Sequence, residues 1–232
     1  MTTTTLQLLA MHGWAGWPNS FSAWQEPLAT RGWTLRCGNR GYGLQAPTMP
    51  DWSPRGRRVL LLHSMGPHLL DPARYRAAEA VVLMASFGRF VPEGVDGQPV
   101  RKAIETMAGL LAAEEDETLF TAFREAVAAP QPLEMLPPGV ESAGLNRQGR
   151  QRLSEDLALL ERLEALPAAF PRQVPVLLVQ PQDDAVVHPL AQRSLWEALP
   201  QAELLAIAGC GHGLLSAMLI PAVCDWLESQ WP

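Results

Sequence analysis

The chain has 232 residues, of which 47% are apolar and 18% are charged. This composition excludes a disordered chain and describes a globular protein, built as one domain or as one domain with a sizeable insertion. The formal net charge of −6 argues against general binding to nucleic acids or to anionic membranes.

The cysteines and the first residues of the chain indicate the compartment. Cys37, Cys210 and Cys224 share no metal-binding or redox spacing, so we expect free thiols in a reducing compartment. The first residues lack the basic start and the long apolar segment of a secretion signal, and no segment is long enough to cross a bilayer. The sequence therefore predicts a cytoplasmic protein, and no group of side chains indicates a metal site.

The first half of the chain alternates between predicted strands and helices. Residues 6–11 form a short apolar run that is typical of a buried strand. A helix over 20–29, a strand over 33–37 and a loop rich in Gly and Pro over 38–54 follow it. Residues 80–87 form another apolar run. This alternation predicts a mostly parallel sheet with helices on both faces.

The most informative segment is the apolar run 59–62, which leads into Ser64 and Gly66. A strand that turns sharply into a helix exposes the residue at the apex of the turn, and a serine there can act as a nucleophile. The usual pattern is Gly-x-Ser-x-Gly, and Leu62 replaces its first glycine. Ser64 is therefore a candidate nucleophile, with an ordinary strand-to-helix turn as the alternative.

Residues 92–166 show helical periodicity and no strand pattern. Apolar residues recur every three or four positions within 104–111, 119–127 and 153–163. Strand patterns resume at residue 174. We therefore predict an α/β core formed by residues 1–88 and 171–232, with residues 89–170 inserted as a helical cap over the strand ends.

Two later strands each lead into a polar side chain suited to catalysis. Asp183 and Asp184 follow the predicted strand 174–180, and His212 follows the strand 203–208. The carboxyl ends of parallel strands meet at one edge of a sheet, and a serine nucleophile needs a histidine base with a carboxylate to orient it. Taken singly, His212 could instead be a helix cap and the aspartates turn formers.

The order Ser64, Asp184, His212, preceded by the turn His12-Gly13-Trp14, resembles the α/β-hydrolase superfamily over nearly the whole chain. In that superfamily the second of two adjacent acids, when a valine follows closely, is usually the member of the triad. The resemblance therefore favours Asp184 over Asp183 and implies the α/β-hydrolase fold with a catalytic triad.

The resemblance also implies an oxyanion hole formed by the backbone N–H groups of Trp14 and Met65. An apolar cleft suited to an acyl chain is expected between the cap and the edge of the core. Its candidate lining residues are Trp14, Phe87, Met107, Leu111, Phe120 and Phe123. The alternative is that the cap residues only pack against one another.

Within the superfamily, the chain resembles the short, cap-bearing carboxylesterases of biotin synthesis, which cleave the methyl ester of pimeloyl-acyl carrier protein. The matching features are the His12-Gly13-Trp14 turn with the later Trp24, the strand end Ala85-Ser86-Phe87, and a two-part helical cap containing Ile104 and residues 120–124. The resemblance implies a serine carboxylesterase that forms an acyl-enzyme and needs no cofactor.

Acyl carrier protein is strongly acidic, so this resemblance also implies cations on the cap. The candidate contacts are Arg124, Arg147, Arg150 and Arg152, although solvated helix faces have the same composition. We expect a monomer. The rival interpretations are a serine esterase or thioesterase for another acyl substrate, and a hydrolase-like fold that only binds a ligand or partner.

Overall fold

The computed structural model describes residues 5–231. In this part of the chain, six strands form one sheet in the order β2-β1-β3-β4-β5-β6, and every neighbouring pair is parallel. The strands are β1 (Leu6–Met11), β2 (Thr34–Cys37), β3 (Arg57–His63), β4 (Ala80–Met84), β5 (Val176–Pro181) and β6 (Glu203–Ile207). The parallel sheet predicted from the sequence is confirmed.

Within residues 5–231, eight α-helices connect and cover the strands. They are α1 (Ser22–Ala29), α2 (Gly66–Leu69), α3 (Pro72–Tyr75), α4 (Gln98–Ala112), α5 (Asp116–Ala128), α6 (Arg147–Leu160), α7 (Pro189–Ala198) and α8 (Leu219–Gln230). Apolar residues of α1 and α8 pack on one face of the sheet, and those of α3 and α7 pack on the other. None of these helices is long and apolar enough to cross a membrane.

The central strands are buried on both faces. In β1, Leu6 and Leu8 pack into the cluster beneath α1 and α8, whereas Leu9 and Met11 pack into the cluster on the opposite face. Because successive side chains of a strand point to opposite faces, both sets must be apolar. This explains why these strands read as continuous apolar runs rather than as alternating ones.

Helices α4, α5 and α6 follow β4 and precede β5, within the segment 89–170 that the sequence predicts as a cap. Their apolar stripes meet in a third cluster, which includes Ile104, Phe120 and Leu153. Trp14 and Met65, from the turns after β1 and β3, belong to the same cluster. The three helices therefore pack over the carboxyl ends of the central strands.

The strand predicted over 80–87 is shorter than expected. β4 ends at Met84, and Ala85 has a φ of 46°, in the left-handed region. The chain turns there, and the hydroxyl of Ser86 donates a hydrogen bond to the carbonyl of Ser64 at 2.7 Å. The apolar run continues past the strand because Ala85 still donates to Val179 O of β5 at 2.9 Å and Phe87 packs in the cluster beneath the cap helices.

Candidate active site

The site lies where the order of the strands reverses. The chain leaves β1 toward one edge of the sheet and later returns to add β3 on the other side of β1. In open parallel sheets, the crevice at such a reversal, outside the carboxyl ends of the strands, is where ligands bind. The turns after β1, β3, β5 and β6 bring Trp14, Ser64, Asp184 and His212 to this edge.

Ser64 occupies a sharp turn directly after β3. Its φ is 55°, a left-handed conformation that costs free energy for a residue other than glycine. Two hydrogen bonds hold the turn: Ser64 N–H donates to Met84 O at 2.8 Å, and the Ser64 carbonyl accepts from the side-chain hydroxyl of Ser86. A Cβ atom on Gly66 would lie 2.4 Å from Met11 O, so this position of the turn requires glycine.

Leu62 does not crowd the turn, although the usual motif has glycine there. Its side chain is fully buried, and its backbone is in register with Met11 on one side and Leu83 on the other. All three side chains belong to the apolar cluster on the α3 and α7 face of the sheet. Leu62 therefore contributes to the core, and burial of a leucine stabilises a fold by about 1.5–3 kcal/mol.

Ser64, His212 and Asp184 form a continuous chain of hydrogen bonds. His212 Nε2 lies 2.9 Å from Ser64 Oγ, and His212 Nδ1 lies 3.0 Å from Asp184 Oδ2. The other carboxylate oxygen of Asp184 accepts from the N–H groups of Val186 and Val187, both at 2.8 Å. This is the arrangement in which a carboxylate orients a histidine that removes the serine proton.

Asp184, rather than its neighbour Asp183, faces His212. The side chains of Asp184 and His212 are both 2% exposed, whereas Asp183 is exposed. Burial alone would raise the pKa of Asp184, but His212 and the two backbone N–H groups outweigh it and hold that pKa below its ordinary value. The carboxylate is therefore ionised at neutral pH and able to stabilise an imidazolium.

The loop that carries His212 is fixed against both the core and the cap. Gly213 N–H donates to Val127 O of α5 at 2.8 Å, and a Cβ atom on Gly211 would lie 1.6 Å from Ala129 O. His63 Nε2 lies 2.9 Å from the carbonyl oxygen of His212. Since only a protonated nitrogen can bond to a carbonyl, His63 donates this bond.

Two unpaired backbone N–H groups adjoin Ser64. A Cβ atom on Gly13 would lie 2.7 Å from Ser64 Cβ, so the glycine brings the turn after β1 against the nucleophile. Within residues 5–231, the amides of Trp14 and Met65 donate to no protein acceptor. They are the two residues for which the resemblance to the superfamily implies an oxyanion hole.

Two cavities meet at Ser64. The larger, here named the cap cavity, has a volume of about 480 Å³ and lies between the core and helices α4, α5 and α6. No charged residue lines it within the described part of the chain, and Ser64 and Thr106 supply its hydroxyl groups. Its apolar lining includes Phe87, Ile104, Met107, Phe123, Leu157 and Leu160.

The smaller cavity, here named the histidine cavity, has a volume of about 140 Å³. Both Ser64 and His212 line it, and His212 does not line the cap cavity. Arg124 and Glu141 form an ion pair in its wall, with Arg124 Nη1 3.1 Å from Glu141 Oε1.

Five of the six predicted pocket residues line a cavity. Phe87 and Met107 line the cap cavity, Phe120 lines the histidine cavity, and Trp14 and Phe123 line both. Leu111 lines neither and packs among the cap helices instead. A step of one residue rotates a helical side chain by about 100°, so the neighbouring Leu110 faces the cavity while Leu111 turns away from it.

The predicted arginine cluster is largely engaged inside the protein. Arg150 forms a two-point ion pair with Asp116 of α5, and Arg152 donates to Gly41 O at 3.0 Å. Arg124 pairs with Glu141 as described above. Arg147, at the start of α6, is exposed. The cluster in the sequence therefore does not form a patch of four free cations.

Three further residues hold this site and were not predicted from the sequence. The hydroxyl of Ser86 holds the carbonyl of Ser64, and His63 holds that of His212. Asp156 of α6 is buried and pairs with Arg40 of the core. A signal for Asp156 was present in the sequence, because an acidic residue there adjoins the apolar stripe that contains Leu153 and Leu160.

Stability is expected to fall as pH decreases from 6.5 toward 4, because desolvation lowers the pKa of both His12 and His63 from 6.5 to about 4. In this window the unfolded chain binds protons that the folded chain does not. The free energy of unfolding therefore becomes smaller as the pH is lowered. Urea denaturation at several pH values measures the slope. Changing either histidine to Gln should make the slope shallower, and an unchanged slope would contradict the assignment.

No protein-family model matches the sequence, and no curated protein matches it. Solved structures match nearly the whole chain. A hydrolase from Oleispira antarctica superimposes with a TM-score of 0.70 at 14% identity, over 97% of this chain and 91% of that one. An esterase from Exiguobacterium antarcticum gives 0.68 at 16% identity, over 97% and 93%.

A bromoperoxidase from Bacillus anthracis is also similar, with a TM-score of 0.64 at 18% identity over 98% of this chain and 92% of that chain. Together with the six-stranded parallel sheet, these matches define the class of the protein by its fold. It has the α/β-hydrolase fold.

Proposed function

We propose that the protein is a cytoplasmic serine carboxylesterase that works through an acyl-enzyme. The observation that carries this proposal is the hydrogen-bonded chain from Ser64 Oγ through His212 to Asp184, beside two unpaired N–H groups. Esterases and a hydrolase among the similar structures support it.

In the first half of the reaction, Ser64 Oγ attacks the ester carbonyl carbon while His212 Nε2 takes the serine proton. The carbonyl oxygen becomes an oxyanion, which accepts hydrogen bonds from the N–H groups of Trp14 and Met65. The bond from the carbonyl carbon to the alcohol oxygen then breaks. His212 returns its proton to that oxygen, and the alcohol leaves with Ser64 acylated.

In the second half, His212 takes a proton from a water molecule as its oxygen attacks the acyl carbon. The same two N–H groups stabilise the second oxyanion. The bond to Ser64 Oγ breaks, His212 returns the proton to Ser64, and the carboxylic acid is released. Asp184 keeps its charge throughout and stabilises the imidazolium that forms twice.

The two cavities assign the two sides of the ester. The leaving oxygen must lie within hydrogen-bond reach of His212 Nε2, and His212 lines only the smaller of the two cavities. The alcohol therefore occupies the histidine cavity. The acyl chain occupies the apolar cap cavity, which is more than three times as large. This division favours an ester of a long or medium apolar acyl group with a small alcohol.

Within this class, we propose the methyl ester of pimeloyl-acyl carrier protein as the substrate. Methanol is the smallest alcohol, and the methylene chain of the pimeloyl group suits the apolar walls of the cap cavity. Ala103 and Ala122 line that cavity and are also exposed, so it opens between α4 and α5, where the arm of a carrier protein could enter. Arg147 offers an exposed cation on the same cap.

A second candidate is an esterase or thioesterase for acyl groups that are not attached to a carrier protein. The observation that favours it is the engagement of Arg124, Arg150 and Arg152 in contacts within the protein. These contacts leave fewer free cations on the cap for an acidic partner. Both candidates use the same triad.

Two ester series test the division between the cavities. We expect kcat/KM to rise or stay level as the acyl chain of methyl esters lengthens, and to fall as the alcohol of hexanoyl esters lengthens from methyl to hexyl. Thr106→Phe should narrow the cap cavity and penalise long acyl chains while leaving acetyl esters unaffected. The opposite dependence in the two series would contradict the assignment.

The carrier-protein substrate is tested by comparing methyl pimeloyl-acyl carrier protein with dimethyl pimelate. A kcat/KM at least a hundredfold higher for the carrier-bound ester supports the specific proposal. Equal values would favour the second candidate. Failure to hydrolyse any ester, in a folded protein, would leave a hydrolase-like fold that only binds.

A further inference from the structure

Asp156 brings a buried charge into the interface between the cap and the core. Its carboxylate accepts from Arg40 at two points, 2.7 Å to Nε and 2.8 Å to Nη2. The hydroxyl of Tyr42 donates to the same carboxylate at 2.7 Å. Asp156 and Tyr42 are buried, while the side chain of Arg40 is 33% exposed. A two-point bond of this kind fixes both partners in orientation as well as in distance.

The contact continues from Arg40 to the turn beside the nucleophile. The backbone N–H of Arg40 donates to His12 Nε2 at 3.2 Å, so this nitrogen is unprotonated and the other ring nitrogen carries the proton. His12 Nδ1 then donates to Gly13 O at 2.8 Å. This carbonyl belongs to the peptide group whose N–H is that of Trp14, one of the two proposed oxyanion donors.

Helix α6 also contacts directly the turn after β1 that carries Gly13 and Trp14, here named the oxyanion turn. Trp14 Nε1 donates to the carbonyl oxygen of Leu153 at 2.8 Å, in the turn of α6 that precedes Asp156. A Cβ atom on Gly149 would lie 1.8 Å from Tyr42 O, so the helix lies directly on the loop that carries Arg40 and Tyr42. The peptide group of Trp14 is therefore held on both sides by contacts that lead to one cap helix.

We propose that Asp156 is a positioning residue for the oxyanion hole, acting through Arg40 and His12 on the peptide group between Gly13 and Trp14. The inference rests on the proposed esterase function. An oxyanion hole accelerates a reaction only if its donors are already aimed at the place where the charge develops. The cap thus contributes to the chemical step as well as lining the cap cavity.

The neutral state of His12 fits this role. Desolvation lowers its pKa to about 4, so at neutral pH the ring keeps one proton and one lone pair. Both are needed, since the ring accepts from Arg40 and donates to Gly13. The charged groups near this ring are Arg40 and Asp156, and they neutralise each other.

Asp156→Asn is the first test, with a water-soluble methyl ester as substrate. We expect kcat to fall by about 10- to 100-fold, since a displacement of about 1 Å in a catalytic group can cost a hundredfold. KM should change by less than about threefold, because the substitution leaves the cap cavity intact. Affinity for a trifluoromethyl ketone inhibitor, whose adduct with Ser64 carries an oxyanion, should fall by the same factor as kcat/KM.

Asp116→Asn is the matched control. Asp116 forms a similar two-point bond with Arg150, also between α6 and a neighbouring element, but this bond has no connection to the oxyanion turn. We expect its kcat and inhibitor affinity to stay within twofold of the wild type. A loss of thermal stability of similar size in both variants would show that stability alone does not explain the loss of activity.

If Asp156→Asn does not fold, a second pair of variants decides the question. Tyr42→Phe keeps the pair between Arg40 and Asp156, whereas the double variant Tyr42→Phe/Asp156→Leu removes it and leaves an apolar residue beside Leu153 and Leu157. The double variant should lose kcat and inhibitor affinity together, relative to Tyr42→Phe.

In one outcome, the wild type is active and a folded variant without the carboxylate keeps the wild-type kcat and inhibitor affinity. That result would overturn the positioning role of Asp156 but not the proposed esterase function. A wild type that neither turns over esters nor reacts with a fluorophosphonate would overturn the proposed function, and this inference with it.

Discussion

Ser64→Ala is expected to abolish ester hydrolysis, lowering kcat by about a millionfold, as for the loss of the nucleophile in a well-studied serine protease. The substitution removes the hydroxyl that lies 2.9 Å from His212 Nε2 and forms the acyl-enzyme. Substrate binding should change little, because the removed oxygen contributes almost nothing to the apolar cap cavity. Steady-state kinetics with a methyl ester, and calorimetry for product binding, measure the two effects.

Ser194→Ala is the control for this variant, because Ser194 lies exposed on α7, away from the site. It should retain the activity of the wild type. A Ser64→Ala protein that keeps more than a few per cent of the wild-type kcat would show that hydrolysis occurs elsewhere or by direct attack of water.

Asp184→Asn is expected to produce the next largest loss, about ten-thousandfold in kcat, by analogy with the same change in a serine protease. An amide in this position can favour the wrong tautomer of His212 and cannot stabilise the imidazolium. In the wild type, the N–H groups of Val186 and Val187 donate to one carboxylate oxygen of Asp184. The amide oxygen of Asn can accept the same two bonds, so the loop should keep its shape.

Asp183→Asn provides a control one residue away. The side chain of Asp183 is exposed and its backbone N–H, which donates to Cys210 O at 3.0 Å, is unchanged by the substitution. Its kcat should stay within about twofold of the wild type, because surface substitutions change the free energy of unfolding by only about 0.5 kcal/mol and the side chain of Asp184 is untouched. A loss in Asp183→Asn that equals the loss in Asp184→Asn would contradict the assignment of the carboxylate.

The sheet and the order of the site residues could be predicted because both depend on local patterns. Apolar runs such as 59–62 mark strands buried on two faces, and a polar residue directly after each run is carried to the common edge of the sheet. The resemblance to the α/β-hydrolase superfamily also favours Asp184 over Asp183, and in the structure Asp184 contacts His212.

Contacts between distant segments could not be predicted in the same way. The bond from His63 to the carbonyl of His212 joins residues 149 positions apart, and that from Arg40 to Asp156 spans 116 positions. A local pattern can mark one member of such a pair, as it does for Asp156, but it does not identify the partner. The ion pairs of the predicted arginine cluster could not be foreseen for the same reason, since Asp116, the partner of Arg150, is 34 positions away.

Leu111 and Leu62 illustrate two further limits. A helical stripe identifies which face of α4 is apolar, but Leu110 and Leu111 differ only in whether they face the cavity or the neighbouring helices. A motif predicts glycine in place of Leu62, yet the side chain at that position faces an apolar cluster with room for leucine. Both outcomes depend on what packs opposite the residue.

Covalent labelling with a fluorophosphonate tests most directly whether Ser64 is an activated nucleophile. The folded wild-type protein should take up one label per chain, located on Ser64 by mass spectrometry, and His212→Ala should slow the reaction by several orders of magnitude. A folded wild type that does not react, or a label on a different residue, would show that the hydrogen-bonded chain of Ser64, His212 and Asp184 is not a catalytic triad.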